Sequence, residues 1–277
     1  MLKNYLNMFI VVLLLVILFY YVEDRKIING LINKIPNIYL SPENRVKSSL
    51  LWINHEKDYF TRINWPNTIN FDRPIKQDIL NQSIKLKLNE AIIDCGAHIG
   101  DMTIPIAHAL KVIGRNDIIV YALDPSKEKC KYIEYLVKIN NLTNVKVICC
   151  GLYSKKIELY PHIPLNLNTG ATVWSEEKVD ENNNKYLTRN NESSLFVTLD
   201  SLIKSKQINH TIKVIHLDVE GHEDQAIIGG YETIKKWKPY ISLETNTDER
   251  TGFENILKNN YKFVKRLNAN NCFSSMV

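Results

Sequence analysis

The stretch "IIDCGAHIGDMTIP", residues 92–105, decides the fold. Ile92 and Ile93 form an apolar strand that ends at Asp94, Gly96 and Gly100 bracket a turn, and Met102, Ile106, Ala109 and Leu110 recur at helical spacing. Pro105 is tolerated only in a helix's first turn, so the helix starts just after Gly100. Strand, glycine turn and helix in that order aim the free N–H groups of a helix start at a ligand. Glycine, lacking Cβ, lets the backbone come close to it.

The same alternation runs through the rest of the chain from residue 90 onward. "IIVYAL" (118–123) reads as a strand, Lys127 to Asn141 as a helix with Cys130, Ile133 and Val137 on one face, and "VKVICC" (145–150) as a strand. After "KKIELY" an Asn-rich stretch, Pro161 to Ser194, keeps no period and is expected to be a long loop, functional or disordered. The pattern resumes with "SLFVTLDSLI", "IKVIHLDVEGHEDQAIIGGYETI" and "KPYISLETN", and closes with a last helix and a strand through "YKFVKRL". Such alternation predicts an α/β domain, a mostly parallel sheet with helices on both faces.

A dinucleotide-binding turn has the form G-x-G-x-x-G, whereas here Gly96, Ala97, His98, Ile99 and Gly100 lack the middle glycine. That disfavours a nicotinamide-dependent oxidoreductase. Asp94 stands two residues before the first glycine, and D-x-G-x-x-x-G suits a ligand with an ammonium group and no phosphates, such as S-adenosylmethionine. Asp124, closing the second strand in "YALDPS", is placed to accept hydrogen bonds from both ribose hydroxyls. The candidate cofactor-binding residues are therefore Asp94, Gly96, Ala97, His98, Gly100 and Asp124. Each has a plainer role open to it: Asp94 and Asp124 as caps, His98 as a turn residue.

Four blocks in order, "IIDCGAHIGDMT", "VYALDPSKEKCKYIEYLVKINNLTNV", "VTLDSLI" and "IHLDVEGHEDQAIIGGYETIKKWKPYISLETN", resemble those of the FkbM-type methyltransferases, including the D-V-E-G-x-E core. The resemblance covers residues 88–245 and implies a class I S-adenosylmethionine-dependent methyltransferase, usually acting on oxygen, often on sugars or small molecules. His98 replaces the Asn common in that turn, and the long Asn-rich stretch is idiosyncratic, so the resemblance speaks for the cofactor more than for the acceptor. A capped helix start accounts for Glu223 and Asp224. It leaves Asp218 and Glu220, at the carboxyl end of a parallel strand where ligands bind, unexplained. Asp218, Glu220 and His222 are the candidate catalytic bases, Asp218 ranked first and His222 last. These acids alone do not make a convincing ligand set, so no metal is assigned. A membrane-tethered scaffold that keeps the fold without turnover is the alternative from another class.

The 277 residues, 45% apolar and 23% charged, can hold one substantial domain with an appendage. The net charge of +5 is scattered, with no basic stripe interleaved with aromatics, so no nucleic-acid partner is expected. Five cysteines without metal-site spacing read as free thiols in a reducing compartment. "YLNMFIVVLLLVILFYYV", residues 5–22, is nearly unbroken hydrocarbon with no small-residue cleavage site after it. It predicts one N-terminal transmembrane helix that anchors the chain in a lipid bilayer. Lys3 on one side against Arg25, Lys26 and Lys34 on the other tilts the domain to the cytoplasm, although Asn-x-Ser/Thr matches at Asn81, Asn141, Asn191 and Asn209 would suit a lumenal one. The expected organisation is an anchor and flank (1–26), a stalk and lid (27–87) and a methyltransferase domain (88–277), acting on a hydroxyl-bearing small molecule or glycan.

Overall fold

A computed structural model describes residues 73–165, 168–180, 185–187, 192–245 and 260–276. The apolar segment 5–22 and the helix expected before "YKFVKRL" lie outside the described residues. Among the described residues no helix is long and apolar enough to cross a membrane.

Helix α1 (Arg73–Ser83) leads into β1 (Glu90–Cys95), α2 (Thr103–Val112), β2 (Ile119–Leu123), α3 (Lys127–Ile139) and β3 (Val145–Ile148). Short strands β4 (Gly151–Leu152), β5 (Ile157–His162), β6 (Val173–Ser175) and β7 (Ser194–Val197) follow, with a 3₁₀ turn at Thr169–Ala171. The chain then forms α4 (Leu199–Lys204), β8 (Thr211–Leu217), α5 (Glu223–Gly229), α6 (Tyr231–Trp237), β9 (Tyr240–Glu244), β10 (Tyr261–Leu267) and β11 (Asn270–Ser275). Seven strands lie in the order β10-β11-β9-β8-β1-β2-β3. β1, β2, β3, β8 and β9 are mutually parallel, and β11 runs antiparallel between β9 and β10.

The pleat sorts the strand residues onto two faces. Ile92, Val120, Ala122 and Val214 pack with Ile75, Ile79, Ile104, Leu110, Ile133 and Leu136 from α1, α2 and α3. Ile93, Tyr121, Leu123, Ile215, Leu217, Ile241 and Leu243 pack with Leu199, Leu202, Ala226, Ile227 and Ile234 from α4, α5 and α6. This is the three-layer α/β arrangement the alternation predicts. Each fully buried branched side chain contributes roughly 1.5–3 kcal/mol.

Two sequence expectations change, and a third gains detail. Residues 73–83, expected within the stalk and lid, form a helix: Pro74 opens α1, and Ile75 and Ile79, one turn apart, are wholly buried against the domain. The stretch from Pro161 to Ser194 is not one long loop. It contains the end of β5, the 3₁₀ turn and β6, and joins a second sheet of order β4-β7-β5-β6. The chain also ends in a hairpin, β10 with β11, because Asn268 takes a left-handed turn (φ 52°) and Cys272 and Phe273 bury from an otherwise polar strand.

Candidate functional site

Strand order reverses beside β1: β2 and β3 are laid down on one side, then β8 and β9 on the other. The crevice beyond the carboxyl ends of strands at such a switch point is where open α/β sheets bind ligands. Register decides what lines it. Cys95 pairs with Leu123 on one side and Leu217 on the other, and Leu217 pairs with Leu243. The next residue of each strand therefore falls into one row, Asp124, Gly96, Asp218 and Glu244.

That row explains Gly96. A Cβ there would lie 1.6 Å from the Asp218 carbonyl oxygen, and φ is +82°. The turn was expected to need glycine for close approach of a ligand; at Gly96 the close neighbour is the main chain of Asp218. Gly100, also at φ +82°, would meet Ile104 at 3.0 Å and Ile133 at 3.4 Å, so it serves the packing of the turn on α2 and α3. Main-chain bonds fasten the floor: Gly96 and Ala97 N–H donate to Leu123 O at 2.9 and 3.0 Å, and Asp218 N–H to Cys95 O at 3.0 Å.

Asp94 is buried on the α2 face of β1. Thr103 Oγ1 donates to its Oδ2, and His216, its register partner on β8, approaches Oδ1 through Nδ1 at 3.0 Å. Asp124, also buried, accepts from His98 N–H at 2.9 Å and from Ser126 N–H at 2.8 Å. It thus braces the glycine turn and the start of α3, whose N-cap is Ser126. His98 sits at φ 49° with its Nε2 3.1 Å from Thr169 Oγ1. Its backbone belongs to the floor and its ring reaches the roof.

Asp218, Glu220 and Glu244 bring ligand-type oxygens within 4.8 Å of one another, a spacing that could also hold a metal ion. Burial raises Asp218 well above the usual carboxylate range, helped by a hydrogen bond with Glu244 and by the charges of Glu244, Glu220 and Asp101. Asp218 therefore favours its protonated form more than an ordinary carboxyl does. Glu220, held at φ 51°, is pushed up to about 7, first by burial and then by Glu244 and Glu223, while Lys129 pulls the other way. Sequence reasoning left Glu244 inside a strand and did not single out Asp101. The available signal for Glu244 was that both it and Asp218 follow the last apolar residue of adjacent parallel strands.

His222 stands apart. It lines neither lobe of the cleft; its Nε2–H donates to the Trp174 carbonyl at 2.9 Å and its ring meets Tyr153 edge-on at 5.4 Å. It pins the start of α5 to β6.

The cleft has two lobes that share Gly96, His98, Gly170, Asp218 and Glu220. The larger, about 810 Å³ with its mouth, adds Asp94, Asp101, His216 and Glu244. The smaller, about 440 Å³, adds Asp124, Lys129, Trp174 and Phe196. A third hollow of about 1010 Å³ shares Lys129, Thr169, Thr172 and Trp174 with the smaller lobe but none of the carboxylate row, so the chemistry belongs to the first two. The roof over both lobes is the Asn168–Thr172 turn, where Lys129 Nζ donates to Thr169 O at 2.7 Å.

The family described as Methyltransferase FkbM domain matches residues 94–267. Among solved structures, the chain is similar to the methyltransferase FkbM of Methylobacillus flagellatus KT, with 15% identity and a TM-score of 0.45 over 83% of this chain and 56% of that one. The chain thus spans little more than half the length of that structure. It is also similar to a SAM-dependent methyltransferase from Aquifex aeolicus (13% identity, TM-score 0.39, 79% of this chain and 96% of that one). A third is M. capricolum TrmK in complex with S-adenosylhomocysteine (15% identity, TM-score 0.33, 70% and 65%). No curated protein matches the chain in sequence.

Proposed function

This chain belongs to the FkbM methyltransferase family, and on that premise we propose that it transfers the methyl group of S-adenosylmethionine to a hydroxyl oxygen of a sugar or other small acceptor. The observation that carries the reading is Glu220, pushed up to about 7 and clustered with Asp218 and Glu244, in a cleft that also holds the glycine turn and Asp124.

The residues present fit the cofactor. Asp124 offers carboxyl oxygens to ribose hydroxyls from the end of β2, the larger lobe offers acidic side chains to an ammonium and a sulfonium, and neither lobe presents a phosphate-binding turn. When bound, the cofactor supplies a methyl group already activated by a positively charged sulfur. The chain has two further tasks. It must hold the acceptor oxygen in line, an orientation that accounts for roughly 7–11 kcal/mol of barrier, and remove its proton. Asp218 is the first candidate from the sequence, but a buried carboxyl raised well above its usual range donates a hydrogen bond better than it accepts a proton. Glu220 is therefore the base, and Asp218 with Glu244 orients the acceptor.

Residues 5–22 hold the chain in a lipid bilayer as a single-pass anchor, with the domain on the cytoplasmic side; the unbroken apolar run and its flanking charges support this. The test is methyl transfer. Full-length chain purified in detergent is incubated with labelled S-adenosylmethionine and separate fractions of glycans, lipids, proteins and RNA. Label in a hydroxyl-bearing glycan or small-molecule fraction, lost in Glu220→Gln by about 10²- to 10⁴-fold, is expected. Label in no fraction, despite cofactor binding, would favour the scaffold reading.

A further inference from the structure

Lys76 is 2% exposed, and among the described residues it is the lysine the fold buries most completely. It lies on α1, upstream of the segment 94–267 that matches the family. An ammonium group is almost never fully buried unless paired. Its Nζ is 3.5 Å from Asp101 Oδ2, and the Asp101 side chain, 18% exposed, lines the larger lobe.

Other charged groups surround Asp101 there. Asp94 comes from β1, Asp218 and Glu220 from the end of β8, Glu244 from β9, and His98 and His216 from the turn and β8. Asp78, also on α1, is occupied elsewhere, taking Lys265 Nζ and Tyr240 OH at 2.5 Å each. Among the described residues the lysines near this row are Lys76, beside Asp101, and Lys129, which acts on Glu220 from α3. Five carboxylates thus line one lobe, with a lysine buried behind one of them. The ammonium reaches the Asp101 carboxylate from the side away from the other four.

Resting on the cofactor reading above, we propose that Lys76 is a positioning residue of the cofactor site: pairing with Asp101 from behind, it holds that carboxylate toward the cationic end of S-adenosylmethionine. Lys76 does not line the lobe and acts through Asp101. This gives α1, the link between the N-terminal segment and the domain, a direct hold on cofactor affinity.

Isothermal titration of the full-length chain with S-adenosylmethionine reads this directly. Lys76→Met is expected to weaken affinity about tenfold, and Lys76→Arg to restore it. Asp101→Asn should weaken binding as well, and adding Lys76→Met to it should cost little more, because the lysine acts through that carboxylate. A Lys76→Met defect that Lys76→Arg does not restore, or that adds in full to the Asp101→Asn defect, marks a merely structural lysine and overturns the proposal. Should Lys76→Met fail to fold, Asp101→Asn decides alone: affinity equal to wild type overturns it. A wild-type chain that binds no S-adenosylmethionine overturns the cofactor reading together with this inference, whereas normal wild-type binding with a fully additive Lys76→Met defect overturns the inference alone.

Discussion

The Gly96–Gly100 turn and the Thr169–Ala171 turn face each other across the cleft, and they are held by different means. The first is fixed by main-chain bonds to Leu123 and from Asp218, by the buried Asp94 and by strand register on both sides. The second is tied down by side chains reaching from the other wall, His98 and Lys129 to Thr169, with His222 holding β6 through Trp174. A floor set by backbone geometry cannot vary without unfolding the domain. A roof held by three side chains can be rebuilt residue by residue. On the function proposed above, cofactor chemistry would belong to the floor and acceptor choice to the roof.

The largest expected effect lies in the floor. Gly96→Ala places a Cβ 1.6 Å from the Asp218 carbonyl in a left-handed conformation, so it should lose about 3 kcal/mol or more of stability, read as a fall in the denaturant midpoint. Tolerance of that substitution would remove the reason given for the row Asp124, Gly96, Asp218 and Glu244.

The same contrast explains what could be read from the sequence. Strand, turn and helix at 92–105 are contiguous, and their periodicity exposes them; Asp124 and Asp218 each close an apolar run, so their places at strand ends were legible. Glu244 was not, because it meets Asp218 only through the pairing of Leu217 with Leu243, and no local pattern records which strands become neighbours. The roof was illegible for another reason. Its strands are short and separated by an Asn-rich stretch without a period, and β6 finds its partner in β5 across the 3₁₀ turn. α1 falls inside the expected stalk and lid because Pro74, a residue as common in loops, here starts a helix.

Asp124→Ala should come next in size. Loss of a charged acceptor is expected to weaken S-adenosylmethionine binding by roughly 1.5–3 kcal/mol in isothermal titration. Because Asp124 also accepts from His98 and Ser126, the melting temperature should fall with it. Unchanged affinity in a folded variant would move the ribose contact elsewhere.

Glu220→Gln tests the wall between floor and roof through pH. A base is competent when ionised, so wild-type turnover should rise as the pH passes upward through about 7 and level off above it. The variant should lose that limb along with most of its rate. A profile unchanged in shape would return the role to Asp218 or to solvent.

The smallest effect belongs to the roof. His98→Gln should loosen the contact with Thr169 at a cost of about 0.5–1.5 kcal/mol, changing the acceptor KM severalfold while leaving cofactor affinity intact. If cofactor affinity falls as far as in Asp124→Ala, the division between floor and roof fails.

The central claim is that the cleft over Gly96, Asp124 and Asp218 is where S-adenosylmethionine is held. A structure of the full-length chain determined with S-adenosylhomocysteine tests it most directly. The account predicts the ribose hydroxyls on the Asp124 carboxylate and the amino-acid end in the lobe lined by Asp94 and Asp101, beneath the Thr169–Ala171 turn. The compound bound elsewhere, or in that cleft with Asp124 making no contact to it, would contradict the account.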